Sequence, residues 1–314
     1  MDDRPLTTKD PEVRFLAALF LLLSFFVLGS YIIGSQVKRG NVSTPAEGGT
    51  TFPPVELEAK AVYVYDARTK KVLYVQNEDV RMPLASLTKV MSALVATEIA
   101  PDYGVVTISL EALKAEGDSG LKVGEKWSLK NLLDFSLISS SNDGIHAVAL
   151  ALGALGRFNA TEDEAIQDFV TKMNMKASDL GLKNTYYWNE SGLDQSEVKG
   201  GAYGTAKDMA ELLNYILVHH PELLEATQEV RATLSSDTYN HEAKNTNMLA
   251  AVIPGLLASK TGFTDTAGGN LAFVFDPELG RPIIVTILGS TSSGRFEDAE
   301  KLVAATLEYI GSEQ

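Results

Sequence analysis

Strand-forming runs stand at both ends of the foldable part of this chain, and helical pattern fills the distance between them. Ala61-Val62-Tyr63-Val64-Tyr65 and Val72-Leu73-Tyr74-Val75 are β-rich and flank the charged turn Asp66-Ala67-Arg68-Thr69-Lys70, a hairpin signal. Far downstream, Gly255 to Gly262, Gly269 to Phe275 and Pro282 to Leu288 are β-rich again, and Asp276-Pro277-Glu278-Leu279-Gly280 turns the second of them into the third. Residues 296 to 310 close the chain with amphipathic helical spacing. Early and late strands meet most simply in one antiparallel sheet, so the residues between them form a helical lobe, with a cleft where lobe and sheet meet. The expected fold class is therefore α/β: an antiparallel sheet flanked by helices, plus a helical lobe, over residues 58–314.

Within the insert, Leu87, Val90, Met91, Leu94 and Val95 fall at i, i+3, i+4, i+7 and i+8, which predicts a helix that starts at Ser86 and buries one face. Ser128 caps a second helical pattern through Ile138, which stops at Ser139-Ser140-Ser141-Asn142-Asp143-Gly144, and a third leaves from there through Ile145 to Leu152. Further helices are expected at 161–180 and 205–218, the latter ending before Pro221.

The N-terminal part belongs to a different regime. From Phe15 to Ile33 no residue is charged, a length close to the ~20 residues that cross a bilayer as a helix. Signal peptides have shorter apolar cores and a small-residue cleavage site, and Ile32 is a poor partner for cleavage after Gly34, so an uncleaved anchor is favoured. The expected organisation is a cytoplasmic N-terminus (1–14), a transmembrane helix (15–34), a flexible linker (35–57) rich in Gly, Pro, Ser and Thr, and the folded domain (58–314) outside the cell membrane.

Composition removes several kinds of chemistry. Without cysteine there is no thiol nucleophile, disulfide framework or thiolate metal site. His146, His219, His220 and His241 lack ligand spacing, so no metal is expected, and no cofactor. The net charge of −14 lies almost wholly beyond residue 39 and argues against nucleic acid as a partner.

Three short segments carry the chemistry. Ser86-Leu87-Thr88-Lys89 puts an amine one helical turn beyond a hydroxyl, about 60° around the axis, within reach of it. A serine needs such a neighbour to act as a nucleophile. The spacing alone is common, and it recurs at Ser35, Ser119 and Ser196. Ser140-Ser141-Asn142 in an interhelical loop and Lys260-Thr261-Gly262 at a strand end complete the set, each once and in this order. Ser-x-x-Lys, Ser-x-Asn and Lys-Thr-Gly together are the motif set of penicillin-binding proteins and class A β-lactamases.

Taken together, residues 58–312 resemble the D-alanyl-D-alanine carboxypeptidases, the low-molecular-mass penicillin-binding proteins with the β-lactamase/transpeptidase-like fold. Pro83-Leu84-Ala85-Ser86-Leu87-Thr88-Lys89 looks like that family's nucleophile segment, and Lys260 to Gly268 is similar to its strand motif. Asn184-Thr185 with Gly192-Leu193-Asp194 resembles its Asn-Thr…Gly-Leu-Asp loop. The resemblance implies a serine peptidase of the bacterial cytoplasmic membrane, its catalytic domain extracytoplasmic, that removes the terminal D-alanine from peptidoglycan stem peptides ending in D-Ala-D-Ala and is acylated by β-lactams.

The same resemblance implies the roles. Ser86 is the nucleophile and Lys89 its base. Ser140 relays a proton to the leaving amine, and Asn142 holds Lys89 and the substrate amide. Lys260 and Thr261 take the terminal carboxylate, and Gly262 permits close approach of the strand. The backbone N–H groups of Ser86 and Phe263 form the oxyanion hole. An endopeptidase or a serine β-lactamase would use the same site. Class A β-lactamases have a Ser-Asp-Asn triplet and a Glu-x-x-Leu-Asn loop, whereas this chain has Ser-Ser-Asn, and Glu190 does not fit that loop. A non-catalytic wall-binding domain is disfavoured by the intact motifs. Relatives often have a cleaved signal peptide and a C-terminal amphipathic helix, so an N-terminal anchor is a departure from the pattern.

Overall fold

The computed structural model describes residues 51–156 and 159–313. The cytoplasmic, transmembrane and most of the linker assignments lie outside these residues. Among the described residues no helix is long and apolar enough to cross a membrane.

The hairpin signal folds as strands β1 (Ala61–Asp66) and β2 (Lys71–Gln76), and the downstream runs as β3 (Leu256–Thr264), β4 (Gly268–Phe275) and β5 (Ile283–Ser290). They form one antiparallel sheet in the order β3-β4-β5-β1-β2, in which β1 pairs with β5 from Ala61↔Leu288 to Asp66↔Ile283. Early and late segments therefore do meet, and β3 is left on an edge.

Side-chain alternation along the strands separates two cores. Val62 and Val64 face one way with Leu271, Phe273, Val285 and Ile287, under the closing helix, which contributes Phe296, Leu302 and Ile310. Ala61 and Tyr63 face the other way with Ala272, Val274 and Ile284, toward the helical lobe.

That lobe consists of α1 (Thr88–Ile99), α2 (Leu129–Ser139), α3 (Asn142–Gly153), α4 (Glu162–Asp179) and α5 (Ala206–His219), and α6 (Gly294–Ser312) is the closing helix. Helices α2 to α5 each start at a Ser or Thr whose hydroxyl accepts a backbone N–H: Ser128, Ser141, Thr161 and Thr205.

Several expectations need correction. Ser86 does not begin an α-helix; Ala85–Leu87 form a 3₁₀ turn and α1 follows at Thr88. Nor does α1 bury a single face, since every residue from Thr88 through Ala96 is buried. The apolar stripe is buried as its spacing predicts, but Thr88, Lys89 and Ser92 are buried beside it because α1 is packed on every side. The linker expected to stay flexible through residue 57 ends sooner: Phe52, Val55 and Leu57 pack on the core under α6, with the Phe52 ring 5.4 Å from that of Tyr74 and 6.0 Å from that of Tyr309. The insert also holds short strands among its helices. Arg231–Ser235 pairs with Asn240–Lys244, Val105–Thr107 with Lys126–Ser128, and Ala202–Gly204 lies between Met82–Pro83 and Tyr186–Tyr187.

Candidate active site

Lys89 is the centre of the site. It is the second residue of the buried helix α1, and its amine, shut off from solvent, donates to three oxygens: Ser86 Oγ at 2.9 Å, Asn142 Oδ1 at 2.7 Å and the Ser191 carbonyl at 2.9 Å. Burial lowers its pKa to about 7, with Glu190 acting in the opposite direction. An amine balanced near neutrality and in contact with a hydroxyl can take that hydroxyl's proton.

The hydroxyl is presented by a constrained segment. Ala85 has a φ of 48°, a left-handed value unusual for a residue with a Cβ. Its carbonyl is bound by Thr88 Oγ1 at 2.7 Å, and the Leu84 N–H donates to Ala202 O at 3.0 Å. Gly192, also at positive φ, lies against Ala85 so closely that an added Cβ would collide with the Ala85 carbonyl. Ser86 is thus clamped from both sides, and its side chain is half-buried.

A second pair of groups stands on the facing wall. Helix α2 ends at Ser140 in the left-handed conformation, φ 61° and ψ 35°, and the turn directs its hydroxyl at β3, where Lys260 Nζ donates to Ser140 Oγ at 2.8 Å and to Thr261 O at 2.9 Å. Lys260 is fully buried, and burial together with the cations of Lys89 and Arg295 pushes its pKa well below the usual amine value. Thr261 Oγ1 lies 2.6 Å from Thr246 Oγ1. Gly262 brings the two walls together: a Cβ there would sit 2.9 Å from Leu84 O and 3.2 Å from both Ala85 Cβ and Ser86 N, and Arg295 Nη1 holds the Gly262 carbonyl at 2.6 Å. Phe263 continues the strand opposite Gly269 with its ring 48% exposed.

The eight sequence-derived residues are therefore brought together by the 3₁₀ turn, the start of α1, the α2–α3 turn and the edge strand β3. Asn142 begins α3 and is fixed at its other end by Nδ2 donating to Glu116 O at 2.6 Å. The Gly-Leu-Asp loop closes the far side, where Asp194 accepts from Thr264 Oγ1 at 3.0 Å and from the Thr266 N–H at 3.2 Å. Sequence reasoning did not find the Ser191 carbonyl, Thr246, Arg295 or the Glu116 carbonyl. Two are backbone groups with no side-chain signature, and Thr246 and Arg295 belong to no motif. Glu190, weighed as a deacylating carboxylate, has its side chain on His146, 2.7 Å from Nδ1.

The sequence profile of the D-alanyl-D-alanine carboxypeptidase family matches residues 48–291. The D-alanyl-D-alanine carboxypeptidase DacF of Bacillus subtilis is 32% identical over 260 residues, 78% of this chain and 61% of that protein, so this chain spans less than two thirds of that relative. A D-alanyl-D-alanine endopeptidase of Pseudomonas aeruginosa is 33% identical over 275 residues, 83% of this chain and 81% of its own length. Among solved structures, penicillin-binding protein D2 from Listeria monocytogenes in its ampicillin-bound form superposes with a TM-score of 0.68 at 31% identity, covering 81% of this chain and 98% of its own. The sheet, its flanking helices and the helical lobe are thus the α/β fold of penicillin-binding proteins.

Proposed function

The chain belongs to the D-alanyl-D-alanine carboxypeptidase family, and from that premise we propose that it cleaves the terminal D-alanine from peptidoglycan stem peptides through an acyl-enzyme on Ser86. The observation that carries this reading is the buried Lys89 amine 2.9 Å from Ser86 Oγ with a pKa lowered to about 7.

In the proposed reaction Ser86 Oγ attacks the carbonyl of the penultimate D-alanine while its proton passes to Lys89. The C–N bond breaks, and the proton held by Lys89 passes through Ser140, whose oxygen is held by Lys260, to the departing amine, which leaves Lys89 neutral again. Water then attacks the ester, with Lys89 again accepting the proton, and Ser86 is restored. Lys260 and Thr261 receive the substrate's terminal carboxylate, and that arriving charge favours the ammonium form of Lys260. The Ser86 N–H, beside Gly262, and the Phe263 N–H serve as oxyanion donors, each typically worth ~3 kcal/mol. Because β3 is an edge strand, an extended peptide can lie along it by backbone hydrogen bonds.

Exposure to a labelled penicillin should modify Ser86, and D-alanine should be released from a pentapeptide ending in D-Ala-D-Ala. Ser86→Ala should abolish both, and turnover surviving that change would overturn the assignment. A second reading, cleavage of D,D-crosslinks, is favoured by the endopeptidase relative that shares 81% of its length with this chain. Crosslinked muropeptide dimers consumed faster than pentapeptide would select it.

We further propose that residues 15–34 anchor the protein in the bacterial cytoplasmic membrane with the catalytic domain outside, on the strength of the uncharged run from Phe15 to Ile33. The full chain should stay with membranes through a high-salt wash and leave them only in detergent. Release by salt alone would overturn the anchor.

A further inference from the structure

Next to the site is a pair of ionisable groups that the proposed reaction does not use. Asn142 and His146 are one turn apart on α3 and share a face. Each is bound to the system around Lys89: Asn142 directly, and His146 through the loop residue Glu190, which precedes Ser191. The loop is stitched from three sides. The Ser191 carbonyl accepts from Lys89 at 2.9 Å, the Glu190 carbonyl accepts from Ser92 Oγ at 2.6 Å, and Glu190 Oε1 is 2.7 Å from His146 Nδ1. On its other side the imidazole has Glu162 Oε1, at the start of α4, 3.7 Å from Nε2.

Glu190 is only 5% exposed, and a carboxylate that deep needs a reason. No step of the acylation requires it, and in this position it favours the charged form of the base that acylation needs neutral. An imidazolium held between two carboxylates answers both points, since it satisfies Glu190 and offsets its charge as seen from Lys89.

We infer that Glu190 and His146 are a positioning pair for Lys89: the imidazole fixes the loop whose carbonyl receives the amine, and it screens the Glu190 carboxylate from that amine. This rests on Lys89 acting as the base of Ser86. The charged groups that act on the pair are Glu162 on α4, Asp143 on α3 and Lys89 on α1, besides Glu190 and His146 themselves. Burial disfavours charge on His146, yet the hydrogen bonds and charges of Glu190 and then Glu162 outweigh it and raise its pKa above that of a free imidazole. Glu190 opposes the effect of burial on Lys89, and in the inferred arrangement a positive charge on His146 offsets that of Glu190.

The experiment is the rate of acylation by a fluorescent penicillin, measured from acid to mildly alkaline pH on the full chain and its variants. The midpoint of the acid limb reads the protonation of Lys89. Glu190→Gln removes the charge that favours the ammonium, so the midpoint should move to lower pH. His146→Gln removes the screen and should move it to higher pH. The double variant should follow Glu190→Gln, because His146 acts through Glu190. Where Glu190→Gln does not fold, His146→Gln decides alone, its side chain being 18% exposed and the less buried of the two. A purely structural pair would slow acylation at every pH and leave the midpoint in place, which overturns the inference. A native chain that takes no label overturns the serine-acylation reading and this inference with it; a labelled native chain with an unmoved midpoint overturns the inference alone.

Discussion

The chemistry at residue scale depends on moving one amine out of water. Lys89 is buried in the first turn of α1, just after Ser86, and burial lowers its pKa to about 7, so that the neutral amine is accessible near physiological pH. Below that value the ammonium dominates, so the acylation rate should fall about tenfold per pH unit on the acid side and level off above about 7. A limb centred near 10, where a solvated lysine titrates, would contradict the assignment. The residues proposed as nucleophile, base and carboxylate site are marked in the sequence because each motif sets its side chains at fixed spacing, and the structure brings them together. The third partner of Lys89 was not legible: the Ser191 carbonyl is main chain, and only folding decides which carbonyl meets the amine. Ser140 separates chemistry from stability. Its left-handed backbone suits glycine better than serine, while its hydroxyl alone meets Lys260. Ser140→Gly should therefore keep or slightly raise the Tm while lowering D-alanine release by about 100-fold, the usual scale for losing a proton-transfer group. Thermal unfolding and turnover on the same preparation check both halves.

For whole elements, strands and helices were readable where one period dominated. The hairpin β1–β2, the three late strands and the capped helices α2 to α5 follow their patterns closely. Arg231–Ser235 with Asn240–Lys244 is hidden in the sequence because exposed positions alternate mostly with half-buried ones, and the one buried residue, Ala243, is too small to mark a strand. The fully buried start of α1 is hidden for the opposite reason: Thr88, Lys89 and Ser92 are polar residues in the interior, Thr88 satisfied locally by the Ala85 carbonyl and the other two by the distant carbonyls of Ser191 and Glu190. Element packing also makes a prediction at Gly262, where β3 touches the nucleophile turn. A methyl group there meets the Leu84 carbonyl at 2.9 Å and both Ala85 Cβ and Ser86 N at 3.2 Å, and backbone on both sides limits how far the neighbours can yield. Gly262→Ala should cost about 1–3 kcal/mol of stability. Because the strand and the 3₁₀ turn separate just where the substrate bridges them, acylation by labelled penicillin should fall by ~100-fold or more, as expected for a 1 Å misplacement. Retention of the native rate would show that β3 need not approach so closely.

For the molecule as a whole, the site depends on a sheet whose first and last strands are distant in sequence, and a buried ion cluster joins these ends. Asp66, fully buried at the end of β1, accepts from Arg281 Nε at 2.8 Å, and Arg281 also binds Glu313 just beyond α6. Burial works against the Asp66 carboxylate, but the Thr69 N–H and the Arg281 guanidinium outweigh it and hold its pKa below the usual carboxylate range. The native protein thus binds fewer protons there than the unfolded chain, and stability from this group rises with pH through that range. It is present at neutrality and lost as the pH falls below about 4. Asp66→Asn leaves Arg281 buried with part of its counter-charge gone, at a cost of roughly 3 kcal/mol, or about 10 °C in Tm. Catalysis should not share this loss. In register, Asp66 pairs with Ile283, which pairs with Phe275, which pairs with Leu256, so the clamp lies four residues up the sheet from Lys260 and three strands away from it. Below its lowered Tm the variant should release D-alanine within about twofold of the native rate, since sites this far apart behave independently. Its deficit in stability should shrink as the pH falls below about 4 and the native protein loses the stabilisation that its ionised Asp66 provides. A variant that kept its Tm but lost turnover would mean that the clamp shapes the cleft itself, rather than only holding together the sheet on which the cleft is built.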